Sequence, residues 1–385
     1  MKTNLVIALS LTATALSLCA QTPARRVGLT SPAEAPLAAG AKFVDLNIVA
    51  HADDDGFFMN PDIFNAILNK HTVVTVYLTG GNVQVDDYYY MYQREHGSMH
   101  EYAGMAQAAA SMNAQGIVPG FGSGANPRTI DAVFNAVNPD FVHWNISIKA
   151  YGGVRLTQAD CVEYPNIHLI FMRFPAAATI AGSPINTSVV DNPVARPLAT
   201  LQTLYTGASA TQSAEDNLTV YSKVSLTSTL AAIMEKWVPT VIRCQDYVDA
   251  VTFTDQSSIY WDHEDHYYGA FFTRDAVQTY TQAVPTATPQ LWFYRGYGIY
   301  IDNATLLASY FAEIKYWVLY YYSFYDYQME PGIYANGQYS YTNSNTGMLE
   351  HGGFSVWQQN ENHWTTGFTA NEENHQAPQQ ITPVP

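Results

Sequence analysis

Residues 43–50 are mostly apolar and β-branched, with only Asp45 and Asn47 polar, and predict a buried strand. Asn60 as cap and Pro61 at the first helical position open a predicted helix over 61–70, because the first turn has no use for the N–H that proline lacks. A second β-branched run predicts a strand over 72–79. Strand, helix and strand in this order make a β-α-β unit, which implies parallel strands. Gly80, Gly81 and Asn82 break the second strand, and residues 89–112, with alanines crowded at 106–110, predict a long helix. Further strands are expected at 141–149, 167–173, 240–244 and 291–294, and further helices at 225–237, 266–283 and 304–320.

This alternation points to the α/β class: a three-layer α/β/α sandwich around a mostly parallel, Rossmann-like sheet. One catalytic domain is expected over 41–357, with an insertion near 176–222 that is rich in Ala, Thr, Ser and Pro and shows little periodicity. Residues 21–40 read as a flexible lead-in and the polar stretch 358–385 as a disordered tail. Before the lead-in, Lys2 precedes an apolar stretch over 5–18 and a small-residue exit at Cys19-Ala20-Gln21, the pattern of a secretory signal cleaved near Ala20. That stretch is shorter than the roughly 18 apolar residues a membrane span needs, so the expected location is secreted or extracytoplasmic.

The chain has 385 residues, 48% hydrophobic and 13% charged, enough to bury a large core. A formal net charge of −16 with 17 Lys and Arg excludes a nucleic-acid partner, because phosphate backbones are held by clustered basic residues. Cleavage of the signal removes Cys19 and leaves Cys161 and Cys244, either one disulfide in an oxidising compartment or two buried free thiols. Sequons at Asn145, Asn186, Asn217 and Asn303 are as many as an Asn-, Thr- and Ser-rich chain yields by chance. The 28 Tyr and 7 Trp are expected mainly in the core, with a minority left for ligand contact.

Two polar clusters carry the chemistry. His51-Ala52-Asp53-Asp54-Asp55 follows the first predicted strand, and in open α/β sheets ligands bind where strands end at their carboxyl side. Asp262-His263-Glu264-Asp265-His266 lies far downstream, with two histidines three apart on one side of a helical first turn. A hydrolytic zinc site needs three His, Asp or Glu ligands and one position open to water, and His51, Asp54 and one downstream histidine make such a set.

Ala50-His51-Ala52-Asp53-Asp54 resembles the Ala/Pro-His-Pro/Ala-Asp-Asp signature of LmbE-like (PIG-L) zinc-dependent N-acetylglucosaminyl deacetylases, and His263-Glu264-Asp265-His266 resembles their downstream His-x-x-His. The resemblance also takes in residues 76–81, Arg94-Glu95, Tyr102-Ala103 and Met105-Ala106, and extends over roughly 44–297. It implies one Zn2+ per chain held by His51, Asp54 and His266. Asp53 would be the general base, and His263 the group that stabilises the oxyanion or protonates the leaving amine. The implied activity is an exported N-deacetylase of N-acetylglucosamine-containing glycans or glycoconjugates. Ala52 stands where proline is commonest, and Asp55 adds a third carboxylate resembling that of the family's secreted branch, with a structural role expected. Arg94 is expected either to contact sugar hydroxyls or to form a salt bridge with Glu95, Glu101 or the acidic loop, and Asp246 and Tyr247 are expected to face the site. A carbohydrate-binding protein without turnover, or a metallohydrolase of another amide or ester, would use the same residues. Iron or cobalt would suit the ligands as well as zinc.

Overall fold

The computed structural model describes residues 42–81, 88–117, 127–177, 200–247, 262–296 and 309–326, with short strands at 341–342, 349–350 and 363–366. The expected signal and lead-in, the segment 178–199 of the insertion, Asn186, Asn303 and most of the tail lie outside these residues. Among the described residues no helix is long and apolar enough to cross a membrane.

In chain order the elements are β1 (Val44–Val49), α1 (Asp54–Phe58), α2 (Asp62–Leu68), β2 (Thr72–Thr79), α3 (Tyr88–Gln115), α4 (Pro127–Asn135), a 3-10 turn (Pro139–Phe141), β3 (Trp144–Tyr151), β4 (Val154–Cys161) and β5 (Ile167–Phe174). There follow α5 (Leu201–Thr206), β6 (Gln212–Ser213), β7 (Val220–Tyr221), α6 (Lys223–Trp237), β8 (Val241–Gln245), α7 (Glu264–Ala283), β9 (Gln290–Tyr294), α8 (Ser309–Ser323), β10 (Tyr341–Thr342), β11 (Leu349–Glu350) and β12 (His363–Thr366). Eight strands form one sheet in the order β12-β9-β8-β1-β2-β5-β4-β3. The five central strands, β9 to β5, are parallel, and β12, β4 and β3 are antiparallel additions at the two edges. The fold is the expected mostly parallel sheet between helical layers.

The pleat sends alternate residues to opposite faces, so each central strand feeds two cores. Val49, Val73 and Tyr77 pack with α1 to α4 and α8, whereas Leu46, Ile48, Val74, Val76 and Leu78 pack with α5 to α7. The first face also carries buried polar residues. Arg243 pairs with Asp45, which also bonds His71, and Asn47 donates to Thr75 Oγ1 at 3.0 Å, which in turn lies 2.6 Å from Tyr102 OH.

Several expectations shift. The second helix begins at Asp62, with Pro61 in the cap position, and the Asn60 side chain accepts from Phe64 N at 3.2 Å. The strand expected at 141–149 runs Trp144–Tyr151 and turns through Gly152 and Gly153, both at positive φ, into β4, which the hydrophobic pattern did not announce. The described end of the insertion is ordered, as α5 with a Thr200 capping box and the β6–β7 hairpin. Within the expected disordered tail, His363–Thr366 pairs with β9. Cys161 and Cys244 are free and buried, in the two different cores, so the disulfide alternative is excluded by their separation across the sheet.

Candidate metal centre

Strand order places the site. β1 pairs with β2 on one side and with β8 on the other, so chain direction across the sheet reverses between β1 and β8. At such a reversal the loops leaving neighbouring strands part and open a crevice at the carboxyl edge. One wall comes from the turn after β1, where His51 N donates to Asp54 Oδ2 at 2.6 Å and sets the first turn of α1. The other comes from residues 262–266, which follow β8 and open α7. There His263 is the N-cap, its Nδ1 accepting from Asp265 N at 3.1 Å.

The two sequence clusters meet across this crevice. Ligand atoms of His51, His263 and His266 lie within 4.8 Å of one another, and those of His51, Asp53 and Asp54 do likewise. Asp54 ties the halves together, with Oδ2 at 3.2 Å from His51 Nδ1 and Oδ1 at 3.0 Å from His266 Nε2. Both contacts bring the Asp54 carboxylate between the two imidazoles, so that one side chain joins the residues after β1 to those that open α7. His51 and His266 are each steadied by a further carboxylate: Asp262 Oδ1 is 2.6 Å from His266 Nδ1, and Asp265 Oδ2 is 3.3 Å from His51 Nε2 while accepting Ala177 N at 2.6 Å. Carboxylate, imidazole and metal in series is the usual way a ligand ring is held in one orientation. The donor set, two or three imidazoles and a carboxylate in a buried crevice, fits a divalent ion that accepts nitrogen and oxygen.

Electrostatics separate the three rings. Burial opposes charge on His51, but Asp54 and Asp265 outweigh it and raise the ring to about 9. Burial likewise opposes charge on His266, yet Asp262 and Asp54 carry it well above the usual range. Asp54 is held well below the carboxylate range despite its burial, by His266 and His51. His263 goes the other way: burial, then the neighbouring His51 charge, lowers it to about 3. With Nδ1 accepting the Asp265 N–H, the neutral ring of His263 carries its proton on Nε2.

Asp53, with 17% of its side chain exposed, is the most open carboxylate of the cluster. Burial raises its proton affinity, and the Arg94 guanidinium, 2.6 Å away, restrains the rise. Arg94 also donates to Gly81 O at 2.8 Å and to Tyr322 OH at 2.9 Å, and sits 3.2 Å from Asp326. Arg94 forms a salt bridge with the acidic loop, through Asp53, and a second with Asp326, rather than with Glu95 or Glu101. Glu95 instead takes two bonds from Arg173, at 2.6 and 2.7 Å. Asp55 faces the core, accepting from Tyr77 OH at 2.7 Å and Tyr102 OH at 2.9 Å, and burial raises it to about 6. Asp246 is buried one residue past β8 and donates its N–H to Tyr294 O at 2.7 Å. Tyr247 packs on Phe271 and Phe293 in the core beneath α7.

Asp262 and Asp265 were legible only as flanking acids. The four-residue spacing of Asp262 and His266 was the available signal for their contact. Tyr322 and Asp326 gave none, since they reach Arg94 from a helix more than two hundred residues downstream.

No protein-family model matches the chain, and no curated protein does. Among solved structures, the chain is similar to the zinc-inhibited form of teicoplanin deacetylase, at 9% identity over 73% of this chain and 84% of that one, with a TM-score of 0.34. It is also similar to a deacetylase–bog complex from the teicoplanin biosynthesis pathway, at 8% identity over 73% and 84%, with a TM-score of 0.37. Overlaps this loose carry no argument about fold or chemistry, for which the sheet order and the side-chain geometry stand alone.

Proposed function

We propose that this chain is an exported, metal-dependent amidohydrolase that removes acetyl groups from N-acetylated sugars of a glycan or glycoconjugate. The observation that carries the reading is the junction of the two sequence clusters through Asp54, with carboxylates behind His51 and His266 and a separate, more open carboxylate at Asp53. The resemblance of the two motifs to N-acetylglucosaminyl deacetylases supplies the substrate class.

His51, Asp54 and His266 would hold one divalent ion, with zinc favoured by the family resemblance and by that ion's tolerance of an open tetrahedral site. Bound there, such an ion lowers the pKa of a coordinated water and polarises a carbonyl. Asp53 takes the proton of the attacking water, and its raised proton affinity suits a general base working near neutral pH. Arg94 fixes the Asp53 carboxylate in place through the 2.6 Å ion pair. His263 remains neutral, and its Nε2–H donates to the oxyanion that develops on the acetamide carbonyl, as a neutral imidazole rather than an imidazolium. Asp53 returns the proton it took to the departing nitrogen as the C–N bond breaks, so the acetyl group leaves as acetate and the sugar as a free amine.

The test is acetate release from N-acetylglucosamine oligomers by the mature protein, before and after chelation and with zinc restored. Activity is expected to vanish on chelation and return with zinc, and Asp53→Asn to lower kcat by about 10²–10⁴-fold with metal content unchanged. Acetate release by Asp53→Asn at the wild-type rate, or a purified protein that takes up no divalent ion, would overturn the reading. Metal uptake without acetate release would move the activity to another amide or ester, or to glycan binding alone.

A further inference from the structure

A second cavity system lies on the outer face of α3, where α8 and the 3-10 turn meet it. One cavity of about 440 Å³ is lined by His100, Asp140, Trp317, Tyr320, Tyr321 and Tyr325, among others. A neighbouring one of about 240 Å³ shares His100, Pro139, Asp140 and Tyr325 and extends to Trp144 on β3. The shared lining makes them one continuous groove, in the size range of small-molecule sites.

Its walls are aromatic and its rim is polar. The His100 ring lies 5.2 Å from Tyr325 and 5.3 Å from Phe324, and Tyr320 lies 5.2 Å from Trp317. Phe324 is 51% exposed, which folding alone would not favour for so large an apolar side chain. His100 Nδ1 donates to Tyr321 O at 2.7 Å, so its Nε2 presents a lone pair, and Nε2 stands 3.4 Å from Asp140 Oδ1, on a side chain 69% exposed. Burial lowers the proton affinity of His100, against the opposing pull of the Tyr321 carbonyl and the Asp140 carboxylate. Tyr325 also reaches Asp140, and the remaining lone pairs of this exposed carboxylate are open at the rim to a ligand that brings donors.

We propose that this groove binds a neutral saccharide, with pyranose faces against Tyr320 and Tyr325 and a hydroxyl donating to Asp140 and His100. Pyranose C–H groups are weakly positive and lie well on electron-rich ring faces, while the hydroxyls supply donors for the rim. The carboxylate and the absence of a cation among the groove's described lining residues disfavour an anion. Two joined cavities suit an extended oligomer better than a compact cation. His100 is six residues beyond Arg94 on α3, about 9 Å of helix rise, so the groove shares a helix with the metal centre but none of its metal-binding residues. The inference stands without the deacetylase reading.

Titration calorimetry of the full chain, with metal removed by chelator and with zinc restored, would use N-acetylglucosamine oligomers, β-linked glucose oligomers and choline. Saccharide binding is expected to survive chelation and the His266→Ala substitution. Tyr320→Ala and Asp140→Ala are each expected to weaken it about tenfold while the chain stays folded by circular dichroism, and Tyr320→Phe to retain it. Binding of no saccharide, binding lost with His266→Ala but not with Tyr320→Ala, or binding of choline alone would each overturn the proposal.

Discussion

Asp262 Oδ1 lies 2.6 Å from His266 Nδ1, and that contact leaves Nε2 of the same ring directed at Asp54. Removing it frees the ring to rotate and lowers its basicity without touching a ligand. Asp262→Ala is therefore expected to weaken zinc affinity about 10–100-fold, read by competition with a chromophoric chelator, while the chain stays folded by circular dichroism. His51 allows a test of proton linkage. Its pKa is raised to about 9, above the ordinary 6.5, so the metal-free protein holds a proton there at pH 7 that an incoming cation must displace. Zinc affinity is expected to climb with pH between 6 and 8, about tenfold per unit for each proton released, and a flat profile would contradict the assignment of His51. The sign for stability is opposite. A raised histidine stabilises the metal-free fold fully below pH 6.5, and this contribution is lost as pH rises through about 9.

Helices α3 and α8 meet through glycines. A Cβ on Gly97 would sit 2.8 Å from the backbone oxygen of Tyr322, and one on Gly104 would sit 2.4 Å from the Tyr321 ring. The helices can approach this closely only where α3 has no side chain, and the approach delivers Tyr322 OH to Arg94. Gly97→Ala would gain up to about 1 kcal/mol of helix propensity, but the clash with rigid backbone is expected to dominate. A net loss of roughly 1–3 kcal/mol is expected from urea unfolding, with slower acetate release because the Arg94–Asp53 pair shifts. The individual elements were largely legible: strands at 167–173, 240–244 and 291–294 and helices at 225–237 and 266–283 each fall within a few residues of β5, β8, β9, α6 and α7. Among the elements not foreseen is β4, whose Val-Arg-Leu-Thr-Gln-Ala-Asp-Cys mixes polar and apolar residues. Its place next to the edge strand β3 leaves the continuous apolar run of a central strand unnecessary.

At the scale of the whole molecule, the sheet divides two cores that share no side chains. Cys161 belongs to one and Cys244 to the other, so no local rearrangement brings them to bonding distance. Burial raises both thiols, Cys161 to about 11. Neither is expected to react with a thiol reagent in the native protein, both are expected to react after denaturation, and a reductant should leave the melting temperature unchanged. A reductant-sensitive melting temperature would contradict this placement. The same two-sided burial explains Asp45 and Asn47 in the middle of β1. Their partners, Arg243 on β8 and Thr75 on β2, come from the strands on either side, so a polar residue in a central strand is stable only once the sheet has assembled.

The sequence by itself determined the alternation of strands and helices, hence the layered fold, and the two clusters of histidine and carboxylate that could hold a metal. Those signals are local: periodicity, caps, turn residues and short-range spacing. Only the tertiary structure decided that β1 and β8 are neighbours, which brings residues 51–54 against 262–266. It also decided that Arg94 is bound to Asp53, that Asp55 faces the core and that β12 closes an edge of the sheet. Those outcomes depend on which strands pair and which helices touch, contacts between positions up to two hundred residues or more apart that leave no periodic trace in the chain.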